Sequence, residues 1–197
     1  MGNRVFQFLI TLKDITPTIW RRIIVPGNYS FWDLHVAIQD SMGWMDCHLH
    51  VFRMRHKHSH RTIEIGIPDD DRFDDEPEVL PDWKHLIHEY FIDIGTKCEY
   101  EYDYGDSWIH EVQLEGILPR EKGIKYPKCI GGARACPPED CGGIPGYQSL
   151  LEVISNPESD EYEEMIQWLG DEFDPERFDS DKVKFDNPAI RWKKAFS

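Results

Sequence analysis

The sequence predicts one α+β domain over residues 1–197, with a mainly antiparallel sheet and helices on one of its faces. Three observations lead to this fold class. Several short segments alternate apolar and polar side chains between Gly- and Pro-containing turns, which is typical of strands. Other segments repeat apolar side chains every three or four residues, as amphipathic helices do. In chain order these segments read ββαβ…ββαα, without an internal repeat.

The first part of the chain predicts two strands, a helix and a third strand. Residues 5–12 alternate strictly, and residues 19–25 follow after a short turn. Ser30 is a suitable N-cap for the next segment, a helix that ends at Gly43. Residues 50–60 alternate again and predict a strand whose last residues are rich in histidine.

A hairpin is predicted over residues 98–114, because two alternating segments flank a turn at Gly105. The register of this hairpin decides which face His110 occupies. A two-residue loop would place His110 opposite Glu101 on an acidic face, whereas a three-residue loop would place it opposite Tyr102. Burial of the aromatic side chains favours the three-residue loop, but the sequence leaves both registers open.

Two loops and two helices complete the predicted organisation. Residues 69–78 contain seven carboxylates and one basic residue, which predicts a solvated acidic loop. Residues 118–146 are rich in proline, glycine and cysteine and predict a long loop of the kind that often carries function. Amphipathic helices are predicted over residues 147–154 and 162–169.

The charge and hydropathy of the chain disfavour several classes of protein. Lys and Arg total 22 against 37 Asp and Glu, and the net charge of −15 repels nucleic-acid and lipid phosphates. The mean hydropathy is −0.57, and no apolar run reaches the ~18 residues of a membrane span. We therefore expect a soluble, cytoplasmic protein that binds neither membranes nor nucleic acids directly. Its five cysteines are an odd number, which favours reduced thiols.

Three cysteines of the second loop form a candidate zinc site. Cys129, Cys136 and Cys141 lie close together in the sequence, and with His110 they can supply the four ligands of a tetrahedral zinc ion. Their spacing differs from that of zinc signatures, in which cysteines stand two residues apart in pairs. The alternative is that the three side chains are small apolar groups that fill space under the loop.

Histidines and carboxylates near the hairpin form a second candidate site. His48 and His50 would point the same way in an extended segment and can chelate a metal. The hairpin turn also brings the large aromatic ring of Trp108 near His110. Four carboxylates suit a harder metal, namely Asp103, Asp106, Glu139 and Asp140. The alternative is structural, with Asp106 as a turn former and His110 as a hydrogen-bonded histidine at the edge of the core.

Two neighbouring arginines lie on opposite faces of the second predicted strand. Trp20 and Arg22 share one face, whereas Arg21 lies on the other face among core isoleucines. A buried guanidinium needs compensation for the water that it loses. We therefore expect Arg21 to have a carboxylate partner, for which Glu139 and Asp140 are the candidates.

Five ordered motifs run through most of the chain. They comprise residues 12–26, residues 33–39 with the following Met-Gly-Trp, the His-Leu-His of residues 48–50, residues 102–110 and residues 137–143. Together they resemble the plasmid pRiA4b ORF-3 family from about residue 5 to about residue 178. The resemblance implies an uncharacterised family of bacteria and archaea, some of whose members are associated with plasmids or insertion elements. It also implies that the family's motif positions are Trp20, Arg21, Arg22, His48, His50, Asp103, Asp106, Trp108, His110 and residues 137–143.

The Walker, GxSxG, GxGxxG and HExxH templates are all absent, so no catalytic motif identifies a reaction. Three hypotheses about function stay open. The first is a binding module for a protein or small ligand, with a groove lined by the hairpin and covered by residues 129–143. The second is a metal-dependent enzyme, such as a hydrolase of phosphorylated or nucleotide substrates. Its metal would lie among His110, Asp103, Asp106 and Glu139. The third is that the motifs are purely architectural. The family resemblance adds the alternative of a mobile-element accessory protein without chemistry of its own.

Overall fold

Eight strands form one sheet in the computed structural model, which describes residues 3–55, 61–68, 78–170 and 173–196. The strands are β1 (Arg4–Leu12), β2 (Trp20–Pro26), β3 (His50–Arg55), β4 (Thr62–Gly66), β5 (Val79–Pro81), β6 (Lys97–Tyr102), β7 (Trp108–Pro119) and β8 (Lys128–Ala133). Their order in the sheet is β5-β4-β3-β6-β7-β1-β2-β8. All neighbouring pairs are antiparallel except β4 and β5, so the predicted α+β class with a mainly antiparallel sheet is confirmed.

Five α-helices accompany the sheet in the described residues. They are α1 (Phe31–Met42), α2 (Ile87–Tyr90), α3 (Gly143–Ile154), α4 (Tyr162–Leu169) and α5 (Pro188–Ala195), with a short 3-10 helix at Ser180–Lys182. None of them is long and apolar enough to cross a membrane. The predicted ends of α1 are confirmed, because the Ser30 hydroxyl accepts the Asp33 amide and Gly43 adopts a left-handed conformation with φ of 98°.

The main core lies between the sheet and the helices. Alternate side chains of β1 are buried, as its sequence pattern predicts, namely Phe6, Phe8, Ile10 and Leu12. The apolar face of α1 packs on the same core, and Tyr147 and Leu150 extend it to α3. Burial of aromatic and aliphatic side chains contributes about 1.5–3 kcal/mol for each residue, so this core fixes the positions of the loops around it.

Both predicted registers of the hairpin are wrong. Strands β6 and β7 pair Tyr102 with Trp108 across a five-residue loop. His110 lies opposite Tyr100 and not opposite Tyr102. The loop is longer than predicted because Oδ1 of Asp103 accepts hydrogen bonds from two of its backbone amides. Since the register differs by two positions from the three-residue prediction, the aromatic side chains still share the buried face.

The long loop predicted over residues 118–146 contains regular structure that its composition concealed. Strand β7 continues to Pro119, β8 pairs with β2, and α3 begins at Gly143. Two adjacent glycines weaken the strand signal of β8. The ring of Phe178 lies where a side chain at Gly132 would project, which explains why glycine is required there.

Other elements differ from the predictions in extent. Strand β3 ends at Arg55, and residues 56–60 of the predicted strand lie outside the described residues. The same is true of residues 69–77 of the predicted acidic loop. The short strands β4 and β5 and the helix α5 were not predicted. Helix α5 nevertheless has a readable start, because Asn187 caps it and Pro188 is its first residue.

Candidate functional site

Three segments of the chain meet beside the hairpin loop. His48 lies between α1 and β3, Asp103 begins the loop after β6, and Glu139 and Asp140 precede α3. Nε2 of His48 lies 3.0 Å from Oδ1 of Asp140 and 3.6 Å from Oδ2 of Asp103. Its distance to Oε2 of Glu139 is 3.9 Å. We call these four residues the His48 cluster.

The backbone around Asp103 directs one of its carboxylate oxygens toward His48. The Asp103 amide donates to the carbonyl of Leu49 at 2.9 Å, which ties the loop to the segment that carries His48. Oδ1 of Asp103 accepts the Gly105 amide at 2.9 Å and is therefore occupied by the loop. Oδ2 is left to face the imidazole. The residue adopts a φ of 57°, a left-handed conformation that is strained for a residue with a side chain.

Glu139 is held by groups of two other segments. Its Oε1 accepts hydrogen bonds from the amide of Met45 at 2.8 Å and from the hydroxyl of Tyr102 at 3.0 Å. Burial raises the pKa of Tyr102 well above its ordinary value, so the hydroxyl stays protonated and can donate. Trp44 adds a further tie, because its Nε1 donates to the carbonyl of Pro137 at 2.9 Å. These contacts make the position of Glu139 rigid.

Asp140 is the open side of the cluster. Its side chain is 72% exposed, whereas those of Asp103 and Glu139 are about nine-tenths buried. Like Asp103, it adopts a left-handed conformation, with φ of 57°. The cluster therefore has a buried floor and one carboxylate at the surface, where a ligand from solvent can reach it.

The hairpin loop is also docked on the start of α3. Oδ2 of Asp106 accepts the Gly142 amide at 3.2 Å. At Gly143 φ is 65°, and a Cβ would lie only 2.6 Å from the carbonyl oxygen of Asp106. Asp106 thus serves to join two loops and does not belong to the His48 cluster.

A Gly143→Ala substitution is expected to separate these loops. The added Cβ meets backbone and also requires an unfavourable positive φ, so we expect a loss of about 2–4 kcal/mol in the free energy of unfolding. Chemical denaturation followed by circular dichroism measures this change. A Gly170→Ala variant is the matched control, because Gly170 has φ of 76° but no atom within 4 Å of its added Cβ. Equal losses in both variants would show that the docking contact adds nothing.

The electrostatics of the His48 cluster favour a positive occupant. In the part of the chain that the structure describes, the ion pairs of Asp103, Glu139 and Asp140 are all with His48. Yet Nε2 of His48 is buried and none of these contacts has hydrogen-bond geometry. Asp103 and Asp140 bring carboxylate oxygens within 4.8 Å of each other. Two negative charges about 4 Å apart repel by ~1–4 kcal/mol near a protein surface. A cation between the imidazole and the carboxylates would remove this repulsion.

The cysteines do not gather around His110. Among the described residues, His48, Asp103 and Asp140 form the group of metal-ligating atoms that lie within 4.8 Å of one another. The thiol of Cys129 donates to the carbonyl of Gly131 at 3.5 Å. Burial raises the pKa of Cys136 and raises that of Cys141 to about 12, so the thiol form, which is not the metal-binding form, is favoured. These contacts agree with the alternative interpretation, in which the cysteines fill space under the loop.

His110 and Trp108 are parts of the core. Both are completely buried on β7, and the ring centroid of His110 lies 5.3 Å from that of Trp44. Burial lowers the pKa of His110 to about 4, so the imidazole is neutral in the folded protein at pH 7. The hypothesis that places His110 at a metal with Asp103, Asp106 and Glu139 therefore needs correction, because His48 occupies that place.

His50 does not chelate together with His48. It is buried, its Nε2 lies 2.8 Å from Oδ2 of Asp82, and its ring stacks on His35 at a centroid distance of 3.5 Å. His35 in turn contacts Asp46 at 2.7 Å. Burial lowers the pKa of His35 to about 3. These residues form a buried polar network under α1 and are not part of the His48 cluster.

The two arginines separate as predicted, but the expected partner of Arg21 is wrong. Arg21 is 1% exposed and donates to the backbone carbonyls of Ser41, Trp20 and Ala133 at 2.8–3.0 Å, not to Glu139 or Asp140. Its guanidinium also stacks on the ring of Phe178 at 3.8 Å. Arg22 stacks on Trp20 and pairs with Glu115 at 2.6 Å on the opposite face of the sheet. Carbonyl oxygens can therefore replace a carboxylate as partners of a buried arginine.

Sequence reasoning missed several residues that support the site. The sequence pattern identifies Tyr102 only as an aromatic strand residue, but its hydroxyl also joins Glu139 to the amide of Cys47. The sequence motifs do not single out Asp82 or Asp46 as site residues, although each is the carboxylate partner of a buried histidine. The sequence does contain a signal for Asp46, because this residue lies two positions after the Trp of the Met-Gly-Trp motif. No local pattern marks Asp82, because its partner lies 32 positions away.

The fold and the His48 cluster define an α+β protein with a histidine–carboxylate site where three loops meet. The chain belongs to the plasmid pRiA4b ORF-3-like protein family, whose sequence profile matches residues 4–182. It is 32% identical over 171 residues to "Uncharacterized protein y4hQ" of Sinorhizobium fredii (strain NBRC 101917 / NGR234), a match that covers 86% of this chain and 83% of that protein.

A crystal structure shows the same fold. It is that of the "Protein of Unknown Function MM3350" from Methanosarcina mazei Go1, which is 43% identical to this chain with a TM-score of 0.85. The match covers 94% of this chain and 100% of that one. Similarity at this level confirms the architecture, and the names of the two relatives state no activity.

Proposed function

We propose that this protein is a binding module whose site is centred on a divalent transition metal held by His48, Asp103 and Asp140. The observation that carries the proposal is the buried Nε2 of His48, which faces three carboxylates without forming a hydrogen bond to any of them. A nitrogen lone pair and carboxylate oxygens that converge in this way are a usual set of metal ligands.

The spacing of these atoms fits a metal ion. Ligand atoms about 2.1 Å from an ion lie about 3.0 Å apart in octahedral geometry and about 3.4 Å apart in tetrahedral geometry. The distances from Nε2 of His48 to Asp140 and Asp103 are 3.0 and 3.6 Å. One imidazole with carboxylates suits Mn²⁺ or Zn²⁺ better than Mg²⁺ or Ca²⁺, which prefer oxygen ligands alone.

The three protein ligands leave coordination positions for a further molecule. Asp140 lies at the rim of two cavities, of about 400 and about 500 Å³. A bound metal would therefore lie beside space that a small ligand or a side chain of a partner protein can enter. Hydrolysis of a phosphorylated substrate has less support, because the described residues that line these cavities include carboxylates and no lysine, arginine or histidine.

Metal titration tests the proposal. Untagged protein, freed of metal with a chelator, is expected to bind about one Mn²⁺ per chain in isothermal titration calorimetry. His48→Ala and Asp103→Asn should each weaken this binding by more than about tenfold. Asn at position 103 keeps a side-chain oxygen for the amides of the hairpin loop, so the second variant preserves the fold.

Two further measurements locate the metal. Electron spin-echo modulation of bound Mn²⁺ should show an imidazole nitrogen in the wild type and none in His48→Ala. Cys129→Ala and Cys141→Ala are the controls for the cysteine site, and both should bind Mn²⁺ and Zn²⁺ like the wild type. Absence of binding in the wild type, or loss of Zn²⁺ only in the cysteine variants, would overturn the proposal.

A further inference from the structure

Two cavities flank Trp168 of α4 and share Asp140 at their rim. The larger lies between the residues after α1, residues 136–140 and the end of α4, and it has a volume of about 500 Å³. The smaller, of about 400 Å³, lies between α3 and α4. Trp168 lines both cavities and is 52% exposed.

The linings of the two cavities have the same chemical character. The apolar part of the larger cavity includes Met42, Trp44, Met45, Leu169 and Phe173. The smaller cavity has Leu150 and Met165 in the same role. The charged side chains are all acidic, namely Glu139 and Asp140 in the larger cavity and Asp140, Glu161 and Glu164 in the smaller. Each cavity thus combines an apolar wall with carboxylates.

This combination selects for a particular ligand chemistry. The carboxylates repel an anion, and an uncharged apolar ligand would remove them from water without compensation. An ammonium or guanidinium group on an aliphatic stem satisfies both parts, since the stem covers the apolar wall and the charge meets the carboxylates. The indole of Trp168 adds a cation–π surface, which is worth about 0.5–2 kcal/mol.

We propose that these cavities bind a basic peptide segment of a partner protein, with one Lys or Arg side chain in each cavity and Trp168 between them. The argument for a peptide is the arrangement, because two cavities with a shared wall suit two cationic groups carried on one chain. Charge complementarity supports it, since the net charge of −15 attracts a basic partner from a distance. The inference is independent of the metal site and is stated for the metal-free protein, because a metal bound by Asp140 would reduce the negative charge of the larger cavity.

Fluorescence anisotropy with a labelled hexalysine peptide tests this inference. The titration is performed with EDTA present, so that a failure of the metal proposal cannot affect the result. Trp168→Ala and the double variant Glu161→Gln/Glu164→Gln should each weaken binding by about tenfold. A hexaglutamate peptide should show no binding.

A charge-matched control separates a specific site from general attraction. Glu158 and Glu163 are also exposed but line neither cavity, so Glu158→Gln/Glu163→Gln changes the net charge equally. This variant should bind hexalysine like the wild type. Equal weakening in both double variants would overturn the site in favour of unspecific electrostatic attraction. Displacement of the peptide by an equal concentration of spermidine would also overturn it, because a free polyamine would then be the ligand.

Discussion

Replacement of Arg21 by methionine should lower the free energy of unfolding by about 3–5 kcal/mol. Methionine keeps an apolar stem of similar length, but the carbonyl oxygens of Ser41, Trp20 and Ala133 lose their donor. A buried acceptor without a partner costs about 1–3 kcal/mol. The Ser41 carbonyl belongs to the last turn of α1, which contains no basic residue of its own, so the helix also loses the cation at its negative end.

Arg22→Met is the matched control for this measurement. It removes the same type of side chain from the adjacent position, but its partner Glu115 lies on the partly exposed face of the sheet. Such pairs contribute about 0–1 kcal/mol. Urea unfolding followed by circular dichroism at pH 7 compares the two variants. Similar losses at positions 21 and 22 would contradict the conclusion that Arg21 joins α1, β2 and β8.

Acid should destabilise this protein strongly between pH 6.5 and pH 4.5. Burial lowers the pKa of His110 to about 4 and that of His35 to about 3, against about 6.5 for a histidine in an unfolded chain. The folded state therefore binds fewer protons than the unfolded state in this interval. The contribution of the two neutral histidines to the free energy of unfolding is complete above pH 6.5. It decreases as the pH falls toward their pKa values in the folded state. The two imidazoles together should cost about 5 kcal/mol by pH 4.5, at about 1.4 kcal/mol per pH unit each.

A His110→Gln variant isolates one of these contributions. It removes the titrating imidazole but keeps a polar side chain, so the plot of unfolding free energy against pH should become shallower by about 1.4 kcal/mol per pH unit between pH 6 and pH 4.5. Above pH 7 the two plots should run parallel. Urea unfolding at a series of pH values provides both plots. Parallel plots over the acidic interval as well would show that His110 does not resist protonation in the folded protein.

The fold was predictable where local patterns are strong. The strict alternation of β1 and the capping residues Ser30 and Gly43 belong to short stretches of sequence, and the structure confirms both elements. Strand β8 was concealed because its glycines carry no apolar pattern, and what fills the space beside Gly132 is Phe178 from a distant segment. Such long-range packing leaves no trace in a local window of sequence.

The candidate site was predictable in its components and not in its grouping. His48, Asp103, Glu139 and Asp140 all belong to motifs that the sequence singles out. Which histidine joins the carboxylates depends on the hairpin register, and the register depends on how Asp103 caps its loop. The sequence does not reveal that choice, because Asp103 can act equally well as a turn residue and as a ligand.

The outer strands of the sheet bear on how copies of this protein meet in concentrated solution. At one margin β5 has three residues and ends at Pro81, which has no amide hydrogen to offer to another chain. At the other margin the pairing of β8 with β2 is interrupted by a register shift, and the amide of Ala135 just beyond β8 is taken by the carbonyl of Pro175. Short, irregular margins of this kind give a neighbouring strand little to pair with. The described margins of the sheet therefore favour strand addition only weakly, and we expect the protein to resist amyloid-like association even when other surfaces of the molecule hold a partner.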